Sequence, residues 1–224
     1  QLPLPEKVIK NTINGKYRVY MNYCTVSYTA SWWDWERWQK ELDYMAMNSI
    51  NMPLSVVGLE AVWYNTWLKY NFTDEEARAF LAGPGHFAWQ WMQNLQSYGG
   101  PLPKSWIDSH AELGKKVINR QLELGMQPIQ QGFSGYVPRE LKNKYPDAKI
   151  QLQPSWCGFT GAAQLDPTDS LFSAFGRDFL EEEKHIRQNA GQGSDCPVPD
   201  CGDSGKGSGR PLRGVQGIGC SDQR

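Results

Sequence analysis

The chain has 224 residues, a net charge of −1 and a pI of about 6.4, which leaves no bulk electrostatic attraction to nucleic acid or to an anionic membrane. It is long enough to bury a core but shorter than the roughly 250 residues of a complete eight-fold β/α barrel. No apolar run approaches the roughly 20 residues that a membrane-spanning helix needs. A surplus of 10 Trp, 10 Tyr and 8 Phe is typical of proteins that stack sugars on aromatic rings, although a Trp-rich core is the commoner reason for it.

The first predicted elements alternate between strand and helix. Residues 18–28 are rich in β-branched and aromatic side chains, which predicts a strand that runs into a loop. Ser31 and Asp34 predict a capping box, and the apolar positions behind it repeat with the helical period as far as about Asn48. Residues 50–57 are a short apolar run, which predicts a buried strand.

Helical patterns dominate the middle of the chain. One helix is predicted from Glu60, and a second capping box at residues 73–76 predicts another. A long helix over about residues 105–124 is followed by Gly125, which suits the left-handed conformation at a helix end. The remaining predicted elements are a strand over 126–133, a short helix over 138–144, a strand over 150–153, a loop over 156–159 and a last helix over 171–183.

Strands that alternate with helical crossovers of a dozen or more residues pair in parallel. The pattern therefore predicts an α/β fold, and within it the first three or four β/α units of a TIM-type barrel, with a doubly wound sheet as the alternative. The chain has neither a Gly-x-Gly-x-x-Gly nor a Walker motif, so nucleotide binding has no support. We expect residues 1–16 to be the end of an N-terminal domain or a linker, and residues 17–183 to form the partial barrel.

Residues 184–224 differ in composition from the rest, since they hold nine Gly, three Pro and no Trp, Tyr or Phe. They show neither the period of a strand nor that of a helix, so we predict a disordered Gly- and Cys-containing tail. A zinc site built from His185, Cys196, Cys201 and Cys220 is a weaker alternative, because the Cys-x4-Cys spacing is loose and apolar support is missing. We therefore predict no metal site.

A dense and ordered set of motifs spans residues 2–183. It includes YMNYCT at 20–25, WWDWERW at 32–38, NMPL at 51–54, EAVW at 60–63, GPLP at 100–103 and FSGYVP at 133–138. Together these motifs resemble the α-N-acetylglucosaminidase family of glycoside hydrolases, and its bacterial members more closely than its lysosomal ones. The resemblance implies a large enzyme with a small N-terminal domain, a β/α barrel and a C-terminal helical domain, periplasmic or secreted in bacteria and lysosomal in eukaryotes.

The resemblance also implies hydrolysis of terminal α-linked N-acetylglucosamine from glycans with retention of configuration, a mechanism that needs neither a metal nor an organic cofactor. The family's sugar pocket carries over to Asn22, Cys24, Trp89, Met92 and Trp156. In this implied pocket Asn22 hydrogen-bonds sugar hydroxyls and the two Trp rings pack on the sugar ring or its acetamido methyl group. Cys24 and Met92 supply small polarizable contacts. Without the resemblance, Trp89 and Met92 equally fit ordinary helix packing.

The catalytic residues of such an enzyme are missing from the place where they are expected. Retaining hydrolysis needs two carboxyl groups about 5–5.5 Å apart, and the family carries both as Glu residues on later barrel strands. The first is expected after the helix that ends at Glu183, in an Asn-Glu or His-Glu motif, and neither motif occurs in residues 184–224. We therefore predict no catalytic residue in this chain, expect a structural role for Glu60, and hypothesise a frameshift near residue 183.

Three functions remain open from the sequence. The first is α-N-acetylglucosaminidase activity in the complete protein, with this chain inactive on its own. The second is a non-catalytic fragment that binds carbohydrate, and the third is a misfolded product, since an open half-barrel exposes strand edges. The expected partner is a glycan with terminal α-linked N-acetylglucosamine.

Overall fold

The computed structural model describes residues 7–188. These belong to the first of two compact units, residues 1–192, and the second, residues 193–224, lies outside the described part together with the cysteines of the zinc alternative. The strands are β1 (Val19–Tyr20), β2 (Met52–Pro53), β3 (Tyr136–Val137), β4 (Ile150–Leu152) and β5 (Ala163–Leu165). The helices are α1 (Tyr23–Tyr28), α2 (Trp35–Met47), α3 (Leu59–Leu68), α4 (Asp74–Phe80), α5 (Phe87–Trp91), α6 (Lys104–Glu123), α7 (Leu141–Lys144) and α8 (Ser170–Gln188).

Three short segments pair in parallel, as the alternation of strands and helices predicts. Val19 is in register with Met52 in the β1–β2 pair. Beyond β2, Leu54 forms a parallel bridge with Ile129, whose N–H donates to the Pro53 carbonyl over 2.8 Å. Helices α2 and α6, which precede the second and third segments, pack against each other. The parallel pairing is confirmed for these segments, and among the described residues they do not close into a barrel.

The strand predicted over residues 18–28 is wrong beyond Tyr20. Helix α1 begins at Tyr23, because Asn22 adopts an extended cap conformation and its side chain accepts a hydrogen bond from the Thr25 N–H. This cap satisfies one of the backbone donors that a helix start leaves without a partner. The local hydrogen bond outweighs the weaker strand preference of the aromatic and β-branched residues that follow.

The last three strands form a separate antiparallel sheet in the order β3–β5–β4. Ile150 is in register with Leu165, and Tyr136 with Gln164. The expectation that residues 150–153 continue the parallel set is therefore wrong. The chain reverses there in a hairpin instead of passing through a helical crossover, and a hairpin can join only antiparallel strands.

Capping side chains account for the starts of two helices. Asp34 caps α2 by accepting from the Arg37 N–H over 2.9 Å. The capping box predicted for Ser31 and Asp34 is wrong, because the Ser31 hydroxyl donates to the Ser27 carbonyl over 2.7 Å instead. The capping box at residues 73–76 is confirmed, with both of its reciprocal hydrogen bonds present.

The two longest helices of the described part are α6 and α8. Helix α6 confirms the long helix predicted over 105–124, and Gly125 follows it with φ of +72°. Helix α8 passes the predicted end at Glu183 and runs to Gln188. Its later turns are held against α3, since Glu182 forms an ion pair with Lys69 over 2.8 Å. No helix in residues 7–188 is long and apolar enough to cross a membrane.

Several tryptophans are core residues. On α3, the Trp63 ring lies 4.5 Å from Phe179 and the Trp67 ring 5.5 Å from Phe175, both on α8. A second buried cluster around Trp38 joins α2 to α6. The ordinary explanation of the tryptophan surplus, a Trp-rich core, holds for these positions. The tryptophans that keep open surface include Trp32, Trp89 and Trp156.

Candidate functional site

Asn22 follows the first parallel strand, and hydrogen bonds fix the orientation of its side-chain amide. Its Oδ1 accepts from the Thr25 N–H over 2.8 Å and from the Thr25 hydroxyl over 3.1 Å. A carbonyl oxygen has two lone pairs, so both are occupied by these bonds. Asn22 is exposed, and what it can offer to a ligand is therefore the donor group Nδ2. The half-buried Cys24, a free thiol, follows on the same helix.

Helix α1 packs on α5, which carries the next predicted pocket residue, Trp89, and is followed by another, its C-cap Met92. The Ser27 hydroxyl oxygen accepts from the Ala88 N–H over 2.6 Å. The Tyr28 ring meets the Trp89 ring edge to face, with centroids 6.1 Å apart. Met92 is half-buried and ends α5. The structure thus holds the helix that begins at Asn22 directly against the helix that carries Trp89.

Trp156 comes from a different part of the chain and meets Trp89, with ring centroids 5.0 Å apart and planes at 42°. It lies at the tip of the β4–β5 hairpin, where Trp156 and Phe159 exchange backbone hydrogen bonds of 3.0 and 2.8 Å. Cys157 and Gly158 between them have φ of +48° and +81°. Two positive φ values across a two-residue loop are the signature of a type I′ turn, which matches the natural twist of a hairpin.

The end of α5 is tied to both neighbouring segments through one glutamine. Gln93 has φ of +67° and its Nε2 donates to the Ser134 hydroxyl. Its Oε1 accepts from Gln164 Nε2 on β5 over 2.8 Å. The sequence pattern contained no signal for this bridge, because the three residues are distant from one another in the chain and none of them lies in a predicted element.

The five predicted pocket residues therefore have unequal support from the geometry. The Trp89 and Trp156 rings are in contact. Cys24 lies on α1, which packs on α5, and Asn22 and Met92 are the N-cap of α1 and the C-cap of α5. Tyr28, which the prediction left out, joins this set through its contact with Trp89. Within residues 7–188, no group of three or more His, Cys, Asp or Glu side chains is arranged to hold a metal ion.

Glu60, the carboxylate with a predicted structural role, lies in the first turn of α3 with 2% of its surface exposed. Burial raises the pKa of this carboxyl to about 7, and the backbone and the Trp106 N–H, which donates over 3.1 Å, oppose the shift only partly. The Trp106 ring stacks on His110 at 3.8 Å, and burial lowers the pKa of that imidazole. Glu60 lines a small cleft together with Trp33, Trp106 and His110. None of the five predicted pocket residues lines this cleft.

Comparison with known proteins gives one family model, described as the Alpha-N-acetylglucosaminidase (NAGLU) tim-barrel domain, which matches residues 18–190. Human alpha-N-acetylglucosaminidase is 37% identical over 183 residues, which are 80% of this chain and 24% of the human protein. The chain thus spans about a quarter of the length of this curated relative.

Solved structures of a family 89 glycoside hydrolase from Clostridium perfringens give the same match in three dimensions. The complex with 2-acetamido-1,2-dideoxynojirmycin is 36% identical, with a TM-score of 0.73 over 78% of this chain and 20% of that chain. A variant of this enzyme with two glutamates replaced by glutamine, in complex with its substrate GlcNAc-alpha-1,4-galactose, has a TM-score of 0.72 at the same identity and coverage.

Proposed function

The chain belongs to the family of the alpha-N-acetylglucosaminidase tim-barrel domain, and from this premise we propose that it is part of an enzyme that removes terminal α-linked N-acetylglucosamine from glycans with retention of configuration. The observation that carries the proposal is the half-exposed pair of rings at Trp89 and Trp156, 5.0 Å apart beside the helix that begins at Asn22. Rigid aromatic faces next to a hydrogen-bond donor suit a sugar, which has both apolar ring faces and hydroxyl groups.

Each pocket residue has a separate role in this proposal. The rings of Trp89 and Trp156 pack on the pyranose or on its acetamido methyl group. Asn22 donates from Nδ2 to a hydroxyl, because its Oδ1 already accepts two hydrogen bonds from Thr25. Cys24 and Met92 contribute small polarizable contacts at the ends of the two packed helices.

The same proposal makes the three parallel segments the first strands of a β/α barrel. In such a barrel the functional residues collect in the segments that follow the carboxyl ends of the strands. Asn22 lies two residues after the end of β1, and Ser134, which accepts from Gln93, follows the segment at Ile129. These positions support a pocket at that end of the strands.

We further propose that the catalytic carboxyl pair is absent from this chain. Retaining hydrolysis needs two carboxyl groups about 5–5.5 Å apart. Glu60 is the strongest single candidate in the described residues, but burial accounts for its raised pKa, the hydrogen-bond donors oppose that shift, and no second carboxylate contributes to it. One buried carboxyl, in a cleft apart from the Trp pair, does not supply both a nucleophile and an acid/base.

An assay of the purified chain on a chromogenic α-N-acetylglucosaminide tests this proposal. We expect binding of N-acetylglucosamine without turnover, and we expect Trp156→Ala to weaken the binding. Turnover that Glu60→Gln abolishes would overturn the claim that the catalytic pair is absent. Absence of sugar binding by a folded chain would overturn the assignment of the pocket.

The alternative, a non-catalytic carbohydrate-binding protein, has one observation in its favour: the Trp pair lies apart from the buried carboxyl of Glu60. It predicts the same binding by this chain. The two functions separate when the activity of the longest natural product of the gene is measured, because only the enzyme would release N-acetylglucosamine.

A further inference from the structure

Three helices of this protein end in the same local structure. The residue that follows the C-cap adopts a left-handed conformation, and it is Ser49 after α2, Gln93 after α5 and Gly125 after α6, with φ of +59°, +67° and +72°. In each case the N–H of this residue and the N–H of the next one donate to two carbonyls of the last helical turn. This arrangement is the Schellman motif, and glycine is its usual residue because a Cβ crowds the neighbouring carbonyl oxygen in the left-handed conformation. Gln93 therefore stands where glycine would cause less strain.

The Gln93 side chain makes two contacts that glycine could not make. Its Nε2 donates to the hydroxyl of Ser134, and its Oε1 accepts from Nε2 of Gln164 over 2.8 Å. Ser134 follows the third parallel segment, and Gln164 is the middle residue of β5. The bridge thus joins the end of α5 to two segments that lie 41 and 71 residues further along the chain.

The bridge connects the two elements that carry the pair of tryptophans. Trp89 lies on α5, and its carbonyl accepts from the N–H of Asn94, directly after Gln93, over 2.9 Å. Strand β5 is the one that returns from the hairpin tip, where Trp156 lies. A displacement of the α5 end relative to β5 would therefore change the 5.0 Å separation of the Trp89 and Trp156 rings.

The hairpin has a second support that does not involve Gln93. The Phe159 ring meets Tyr98 edge to face at 4.6 Å, and the Tyr98 carbonyl accepts from the Gly83 N–H over 2.7 Å. Gly83 approaches the chain so closely that a Cβ there would lie 2.7 Å from the Gly99 carbonyl oxygen. Because this support remains when Gln93 is replaced, loss of the bridge should loosen the contact between the two tryptophans without detaching the hairpin.

We propose that Gln93 is a positioning residue of the sugar pocket, which holds Trp89 against Trp156 before a sugar binds. The inference rests on the proposed function, since it matters for binding only if the sugar packs on these two rings. Rings that are held in place before binding lose less conformational freedom when a ligand arrives, and the affinity is higher for that reason. Strained backbone conformations cluster at ligand sites where the surrounding contacts fix them, as the two amide hydrogen bonds do here.

The first test replaces Gln93 with glycine, the usual residue of the motif. Gln93→Gly relieves the backbone strain and removes two hydrogen bonds, so the two effects offset and the thermal midpoint should stay within about 4 °C of the wild type. Affinity for N-acetylglucosamine, measured by NMR titration of the purified chain, should fall roughly three- to tenfold. Ser49→Gly is the matched control, because it relieves the same strain at the end of α2, and it should raise the thermal midpoint without changing the affinity.

The second test observes the rings directly and needs no ligand. Protons on two rings with centroids 5.0 Å apart are close enough for a nuclear Overhauser effect between selectively labelled indoles. This effect between Trp89 and Trp156 should be strong in the wild type and in Ser49→Gly, and it should be weaker in Gln93→Gly.

Two further variants show whether Gln93 acts through its side-chain bridge. Gln93→Glu keeps both links, because its carboxylate accepts from Gln164 while the Ser134 hydroxyl turns to donate to it, and it should restore the affinity and the ring contact. Gln164→Leu removes one partner and should weaken sugar binding as well. When it is combined with Gln93→Gly it should add little further loss, since both substitutions break the same link.

Outcomes that overturn the positioning role are distinct from those that overturn the proposed function. Unchanged affinity and an unchanged Overhauser effect in Gln93→Gly would contradict the positioning role. A fall in affinity that accompanies a large fall in the thermal midpoint, and that Gln93→Glu does not restore, would contradict it too, because Gln93 would then support only the fold. If the wild type binds no N-acetylglucosamine, the proposed function fails, and the Overhauser effects in the wild type and in Gln93→Gly still decide whether Gln93 positions the rings.

Discussion

The indole N–H of Trp106 donates to Oε1 of Glu60 across the interface between α6 and α3, over 3.1 Å. This hydrogen bond is too weak to offset burial, since the pKa of the Glu60 carboxyl is raised from 4.5 to about 7. The folded state therefore holds a proton on Glu60 at pH values where the unfolded chain has released it. Stability contributed by this group is complete below pH 4.5 and is lost as the pH rises to about 7.

Substitution Glu60→Gln should remove this loss. Glutamine keeps an oxygen acceptor for Trp106 and carries no charge, so the free energy of unfolding of the variant should not fall through this window. A shift of this size corresponds to a loss on the order of 3 kcal/mol in the wild type. Urea unfolding of both proteins at pH 5, 6, 7 and 8, followed by tryptophan fluorescence, measures the difference.

His110 acts in the opposite direction, because its pKa is lowered and the unfolded chain binds the extra proton below about pH 6.5. Both the wild type and Glu60→Gln contain His110. Its contribution therefore cancels when the free energies of unfolding of the two proteins are subtracted at each pH. Glu36→Gln, at an exposed position on α2, serves as the matched control for the loss of a carboxylate from the surface. Identical pH profiles of wild type and Glu60→Gln would show that the buried carboxyl does not titrate as described.

Asn22 combines a structural and a binding role that two substitutions can separate. Asn22→Asp keeps the oxygen that caps α1 but removes the Nδ2 donor, so stability should persist while affinity for N-acetylglucosamine falls about tenfold. Asn22→Ala removes both groups and should also lower the free energy of unfolding by about 1 kcal/mol. Calorimetric titration and thermal unfolding distinguish the two, and unchanged affinity in Asn22→Asp would rule out the donor role.

The hairpin tip carries a conformational cost at Cys157, a non-glycine residue with φ of +48°. Asn-Gly is the preferred pair for a type I′ turn, so Cys157→Asn should raise the free energy of unfolding by up to about 1 kcal/mol. Gly158→Ala should lower it by about 1–2 kcal/mol through its φ of +81° alone, because no atom lies within 4 Å of the added Cβ. The same variant should weaken sugar binding by displacing Trp156. Equal stabilities of the two variants would contradict the turn assignment.

Thr73→Ala should lower the stability of the protein at a position outside the proposed sugar pocket. Thr73 accepts from the Glu76 N–H and its own N–H donates to the Glu76 carboxylate, so the substitution should cost about 1 kcal/mol through the lost cap of α4. Sugar affinity should stay unchanged. Glu75→Ala, in the same first turn but outside the box, should cost less. A loss of sugar binding in Thr73→Ala would mean that α4 and the pocket are coupled.

Cap residues, stop residues and apolar periods predicted the elements that are determined by residues close together in the chain. Helix α6 with Gly125, the capping box at residues 73–76 and the parallel pairing of the first three segments were all predicted. The antiparallel sheet was not, because β3 and β5 are too short to carry a period, and because the turn at 157–158 contains Cys where Asn or Asp would have marked it. Helix α1 was missed because one capping side chain, Asn22, decided between strand and helix.

The candidate site depended on resemblance more than on pattern. Trp89 and Trp156 are far apart in the chain, and no spacing rule could have joined them before the hairpin was known. Phe159, the turn partner of Trp156, carried no signal, since a single phenylalanine in a loop is a common feature. The sequence could name residue types suited to sugar, while contact between them was a matter of tertiary structure.

Gly83 has a consequence for tolerated sequence variation. Its backbone supports Tyr98 by a hydrogen bond, and any Cβ there would collide with the carbonyl of Gly99. A saturation mutational scan selected on sugar binding would therefore reject every replacement at this position, although glycine has no side chain with which to touch a sugar. Such a position would be misread as a ligand contact if only the selection scores were considered, when its effect is transmitted through the neighbouring main chain.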